Sequence, residues 1–252
     1  MTHYIDQGGS WSETLKIHEK WKSRPPGSFQ EKPAGAEFTL DEYARQMIAN
    51  NDNTAADHLI HFLGRKRVEM AQKEMRVAHP ELNVPFLTNS EYIAFKASAP
   101  GDLVSDYVDG STTDRRAILA NQVPSIFVDD MDVAMLTIPK TVGTIGWFAS
   151  MTDLCNIMNY LHVQSMKPGM DQLTDILFTD AGPLIRPDQW AHAGIMIEYN
   201  DPGASGAVEI LQRIDGRWFV IAGVLNDSTN AIQVNPMGID FISPLRLLAK
   251  TP

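Results

Sequence analysis

From Thr39 to Gly64 the apolar residues recur on a helical period. Leu40, Tyr43, Ala44, Met47 and Ile48 fall three and four apart, which places them on one face of a helix. Thr39 stands where it can cap that helix, and Glu42 three residues on completes a capping box. The polar run Asn51-Asp52-Asn53 then breaks the period. A second apolar face begins at about Thr54 with Leu59, Ile60, Phe62 and Leu63, and Gly64 occupies the position that ends such a helix. Arg65 to Met75 predicts a third, more exposed helix, and Ser90–Ala97 and Thr112–Asn121 predict two more. Between them HPELNVPFLT, residues 79–88, interrupts the helical pattern. The stretch 123–146, broken by Pro124 and Pro139, is long and irregular. Ser150, with Asp153 three residues later, caps a strongly apolar helix through LCNIMNYLHV.

The two ends of the chain differ from this middle. Residues 1–38 are rich in Gly, Pro, Ser and Lys and predict turns and extended chain. From Trp190 the segments AHAGIMIEYN, SGAVEILQRI and RWFVIAGVLN predict strands, with Asp215-Gly216 as a hairpin turn between the last two. GIDFISPLRLLAK predicts a closing helix interrupted by Pro244. Helices over roughly 39–180, an antiparallel sheet over roughly 190–226 and a terminal helix make an α+β fold in which helices and sheet are segregated.

Composition narrows the function classes. The 252 residues are 44% hydrophobic and 21% charged, enough to bury a full core. With 31 acidic against 21 basic residues the net charge is −10, a field that repels nucleic acid and anionic membrane surfaces. No apolar run approaches the ~20 residues that span a bilayer. Cys155 is the one cysteine, so neither an intrachain disulfide nor a cysteine metal cluster can form. The 12 methionines read as core filling. MTHYIDQGGSW lacks the basic start and apolar stretch of a signal peptide, and the chain as written is expected in the cytosol.

The segment TLDEYARQMIANNDNTAADHLIHFLGRKRVE, residues 39–69, resembles the part of serine β-lactamases and penicillin-binding proteins, class A β-lactamases in particular, that carries a Ser-Asp-Asn motif. The similarity extends back through WSETLKIHEKWKS and EKPAG, and forward through WFASMTDLCNIMNYL to the terminal hairpin and helix. It implies one β-lactamase/transpeptidase-like domain over residues 1–252: a helical lobe at 39–180, an α/β lobe built from 1–38 and 181–252, and an active site between them.

Set against that family, every chemical position is altered. The family nucleophile is a serine followed three residues later by a lysine that helps to activate it. No lysine in this chain has a serine three residues before it; Thr137-Ile138-Pro139-Lys140 is the nearest imitation. The resemblance puts the true motif upstream of Met1. Asn51-Asp52-Asn53 stands where the family has Ser-Asp-Asn, so an amide replaces the hydroxyl that relays a proton, while Asp52 and Asn53 keep the residues that brace the loop and bind the substrate's amide. HPELN, residues 79–83, resembles the Glu-Pro-Glu-Leu-Asn of the family's omega loop, with His79 at the place of the base and Glu81 retained. The Lys-Thr-Gly strand end becomes EYNDPGASGAVEI, and Lys140-Thr141-Val142-Gly143 lies too early in the chain to replace it.

Plainer readings stand beside these. Asn51-Asp52-Asn53 also serves simply to stop one helix and cap the next, and His79 also reads as an ordinary loop residue. His58 and His61 lie one turn apart, but no third metal ligand accompanies them, so neither metal nor cofactor is expected. Gly203 to Ala207 grazes a nucleophile-elbow pattern, yet a strand follows where that elbow needs a helix. The expectation is a serine-hydrolase fold inactive on β-lactams. Two alternatives remain open: a binding or interaction protein whose pocket takes a small lactam-like or peptide-like ligand, and a piece of a longer, active serine hydrolase on β-lactams, esters or amides, which like its family would be secreted or periplasmic. With the upstream segment missing, the core faces of Met47, Leu59 and Phe62 would lie bare. The chain is then expected either to associate as a homo-oligomer or to fold residues 1–38 over them.

Overall fold

The computed structural model describes residues 1–24, 27–98, 101–126, 139–178, 188–193, 197–232 and 242–250. In chain order these form α1 (Thr2–Asp6), β1 (Thr14–Lys16), β2 (Glu37–Thr39), α2 (Leu40–Ala49), α3 (Asn53–Leu63), α4 (Arg65–Glu74), α5 (Asn89–Ala97), α6 (Asp102–Asp109) and α7 (Thr112–Asn121). They continue with α8 (Met151–Ser165), α9 (Asp171–Leu177), β3 (Trp190–Ala193), β4 (Ile197–Asp201), β5 (Ala204–Arg213), β6 (Trp218–Asn226) and α10 (Ile242–Lys250). Short helical turns occupy Glu19–Trp21, Pro80–Asn83 and Val123–Ser125.

The helix starts follow local chemistry. Thr39 and Glu42 form the capping box of α2, and Ser150 and Asp153 that of α8; further boxes at Thr88/Glu91 and Ser111/Asp114 open α5 and α7. Each box satisfies two backbone N–H groups that a helix start leaves without partners. Gly64 ends α3 at φ +79°, a conformation that glycine takes without steric cost. α6 has no side-chain cap, its N-cap being Gly101, and for that reason it left no start signal in the sequence. Pro244 lies in the first turn of α10, where no i−4 carbonyl awaits its missing N–H, so it begins that helix rather than interrupting it. Residues 127–138 and 233–241, including Thr137 and Ile138, lie outside the described residues.

The main sheet is wholly antiparallel. β5 is central, with β6 along one edge from Ala204↔Asn226 to Gln212↔Trp218 and β3 and β4 in succession along the other. Asp215-Gly216 makes the β5–β6 turn, with Gly216 at φ +85° and its N–H donating to the Arg213 carbonyl at 2.9 Å. One face of the sheet buries Val208 and Ile210 against Met158 of α8; the other buries Ala207, Leu211 and Ile221 with Trp190 and Leu245 of α10. A separate two-stranded ribbon joins β1 to β2.

Residues 1–38 lie on the helical side. Trp11, Ile17 and Phe29 are buried in one cluster with Leu40, Tyr43 and Ala44 of α2, Leu59 of α3 and Leu173, Ile176 and Leu177 of α9. Met47 and Phe62 are half-buried against the same cluster. The scattered apolar residues of this Gly- and Pro-rich segment thus cover the faces of α2 and α3, a driving force that does not require regular structure in the covering chain. A second cluster joins Tyr92 and Phe95 of α5 to Tyr107, Ile118 and Leu119 of α6 and α7. Among the described residues no helix is long and apolar enough to cross a membrane.

Candidate functional site

The polar break between α2 and α3 is a tight turn with a buried carboxylate at its centre. Asn51 is exposed and sits at φ +50°, the left-handed region that asparagine enters more readily than most residues. The next residue turns inward. Asp52 is 1% exposed, and Oδ1 accepts from the Ala55 N–H at 2.9 Å, capping α3. Oδ2 accepts from the Phe29 N–H at 2.9 Å and from the Ser28 hydroxyl at 3.4 Å. Asp52 therefore ties the loop 27–29 to the start of α3, across 23 residues of chain. Gly27 is required there: a Cβ on it would stand 2.5 Å from the Asp52 carboxyl carbon. Asn53 reaches the Arg24 carbonyl through Nδ2 at 3.4 Å. Burial, with the neighbouring Asp52 carboxylate adding to it, pushes the Tyr43 hydroxyl up.

The face of α3 behind this turn is also polar and buried. Asp57 accepts from the Asn89 N–H at 2.6 Å, the Ser90 N–H at 2.9 Å and the Asn89 amide at 2.9 Å, holding the first turn of α5. Burial pushes its carboxyl up to about 6 against those donors. Thr54 and His58 hold the chain at 18–23 in a similar way.

His79 and Glu81 stand apart from the turn. They flank Pro80 at the surface and pair with each other, Nδ1 to Oε1 at 3.0 Å, with side chains 72% and 66% exposed. Among the described residues no hydrogen bond or ion pair joins them to Asn51, Asp52 or Asn53. The buried member of HPELN is Asn83, which joins Gln72 of α4 to the backbone of Phe148. His58 and His61 lie within an aromatic cluster with His18 and Trp21, and among the described residues no group of His, Cys, Asp and Glu is placed to hold a metal. Lys140 does not approach the turn. Its ammonium donates to the carbonyls of Lys96 and Ser98.

The long-range partners of Asp52 were missed in the sequence. A cap is a local signal, whereas the anchoring of Phe29 depends on how the Gly- and Pro-rich segment crosses α2 and α3. The pairing of Gly27 with Asp52 likewise left no sequence mark.

Comparison with known proteins fits this architecture. The sequence model described as the Beta-lactamase enzyme family matches residues 3–120. PBP-A covers 98% of this chain and 74% of its own, at 16% identity and a TM-score of 0.58. A β-lactamase from Sphaerobacter thermophilus covers 98% and 76%, at 14% identity and 0.58. One from Chitinophaga pinensis covers 99% and 80%, at 16% and 0.57. The chain has the β-lactamase/penicillin-binding-protein fold. The family match lies on the segment that holds the Asn51–Asn53 turn, and the fold likeness extends over the sheet and α10 as well. No sequence among the curated proteins matches it. In this chain of β-lactamase-like fold both carboxylate oxygens of the turn are taken by backbone and side-chain donors, and the exposed position beside them is an amide.

Proposed function

We propose that this chain, by itself, is a β-lactamase-like protein that does not hydrolyse β-lactams. The observation that carries the proposal is that no lysine among its 252 residues follows a serine at the spacing Ser-x-x-Lys. Without that pair there is no activated hydroxyl to open the ring and form an acyl-enzyme. The geometry of the turn supports the same reading. Asn51 presents an amide, which can donate and accept hydrogen bonds but cannot pass a proton to a leaving nitrogen as a hydroxyl does. Asp52 is occupied in holding Phe29 and Ala55. A variant of PBP-A has been solved as an acyl-enzyme complex with penicillin G, and the proposal is that the corresponding reaction does not occur here.

Nitrocefin turnover tests this. Loss of a nucleophile of this type lowers kcat by about 10⁶-fold, so the chain is expected to stay at the buffer rate. Asn51→Ser, which restores only the relay hydroxyl, is expected to stay there too. Saturable turnover by the unmodified chain would overturn the proposal. Turnover by Asn51→Ser alone would show that the relay, and not the nucleophile, is what the chain lacks.

A further inference from the structure

Three histidines and a tryptophan pack together where residues 17–23 cross α3. Trp21 stacks on His61 with ring centroids 4.6 Å apart and planes at 13°, and it touches His18 at 4.0 Å. His58 lies 5.4 Å from Trp21 and stacks on Tyr43 at 5.5 Å. His58 is fully buried, and both of its ring nitrogens are used. Nδ1 faces the Thr54 carbonyl at 2.7 Å, and Nε2 faces the backbone N–H of His18 at 2.9 Å. A carbonyl can only accept and a backbone N–H can only donate. The ring is therefore neutral, with its proton on Nδ1. A second proton would set an N–H against the His18 N–H, so the bond that holds this segment would be lost.

The same segment leads into the turn of the candidate site. The Ser23 N–H donates to Thr54 Oγ1 at 3.0 Å, Arg24 receives the Asn53 amide, and the chain then runs to Phe29 on Asp52. We propose that His58 is a proton-sensitive latch: neutral, it holds residues 18–23 on α3, and on protonation it releases them and loosens the loop that Asp52 anchors. The latch does not depend on whether that loop meets a ligand.

The surroundings favour the neutral state, burial most of all. Burial lowers the affinity of His58 for a second proton, and His18 and His61 lower it further; the Thr54 carbonyl and Asp52 pull the other way. His61 is itself held low by burial, with Glu91 opposing and Arg65 and His18 assisting. On the crossing segment Lys22 pairs with Glu19 at 2.8 Å, and the remaining charges there are Lys20 and Arg24. With the folded state resisting protonation, the latch is intact above the ordinary imidazole range. Its stability is lost as the pH falls below about 6.5, where the opened histidine takes up its proton.

Hydrogen exchange of a peptide spanning residues 17–29, corrected for the intrinsic pH dependence of exchange, tests the latch. Opening that takes up one proton at about 6.5 grows by up to about 30-fold between pH 7.5 and 5.0, the full factor applying to a closed ring that stays neutral throughout. That increase is expected for this peptide and not for α8. In His58→Gln, Oε1 can accept from the His18 N–H and Nε2 can donate to the Thr54 carbonyl without titrating, so protection is expected to be equal at both pH values. Should that variant fail to fold, ring-nitrogen NMR of the unmodified protein decides. The His58 proton is expected on Nδ1, and its titration is expected to coincide with the opening of 17–29. Exchange that ignores pH, a pH effect that persists in His58→Gln, or a His58 ring that titrates while the segment stays closed would each overturn the latch.

Discussion

Replacing Lys96 with methionine is expected to destabilise the protein by roughly 3–5 kcal/mol, the range for breaking a buried ion pair from one side. The Lys96 ammonium is 2.8 Å from Asp201 Oδ2, with the two side chains 3% and 6% exposed. The same oxygen accepts from the Tyr92 hydroxyl at 2.7 Å, and Oδ1 accepts from the Gly203 N–H at 3.0 Å. Lys96 also donates to the Lys140 carbonyl, while the Lys140 ammonium returns to the carbonyls of Lys96 and Ser98. This lattice ties α5 to the β4–β5 turn, with Gly203 close to Val142 and Pro139. Methionine would match the length of the lysine stem but leave Asp201 charged and without its cation. Urea denaturation should show a lower midpoint with an unchanged slope. The double change Lys96→Met with Asp201→Asn should recover part of the loss, because the remaining donors then meet a neutral acceptor. A Lys96→Met midpoint equal to that of the unmodified protein would mean that the pair is open to water.

Asp52→Ala is expected to cost roughly 2–4 kcal/mol: loss of an N-cap typically costs about 1 kcal/mol, and a buried N–H left without its acceptor costs about 1–3 more. Two backbone groups are stranded at once, at Ala55 and at Phe29. Asp52→Asn keeps one acceptor oxygen and is expected to lose about half as much. Gly27→Ala approaches the same contact from the other side, since its methyl would stand 2.5 Å from the carboxylate. Overpacking of this kind costs about 1–3 kcal/mol. Thermal denaturation of the three variants orders these effects. An Asp52→Ala protein as stable as the parent would show that the loop 27–29 is not held by this carboxylate.

The parts of the fold that were legible in the sequence are those set by near neighbours. Thr39 with Glu42, Ser150 with Asp153, Gly64 and the Asp215-Gly216 turn each encode their structure within four residues, and each of these four features is present. The change from helical period to β-rich segments at Trp190 likewise placed the sheet after the helices. What remained hidden depends on distance along the chain. β1 and β2 are three residues each, too short for a periodic signal, and they pair across Thr14↔Thr39 only because the intervening segment packs on α2. At the candidate site, the turn and the cap were visible, whereas the acceptor role of Asp52 toward Phe29 and that of His58 toward His18 were not. The left-handed backbone at Asn51 gives asparagine a conformational reason to be there, independent of the proposed replacement of a relay hydroxyl.

The central proposal is that this chain of β-lactamase-like fold carries out no acyl transfer from a β-lactam. Intact-protein mass spectrometry after incubation with excess penicillin G tests it without relying on turnover, because a slow enzyme still accumulates its acyl intermediate. The account predicts that the full 252-residue chain keeps its unmodified mass. A stable adduct of one penicillin per chain, mapped by fragmentation to a single serine or threonine, would contradict it.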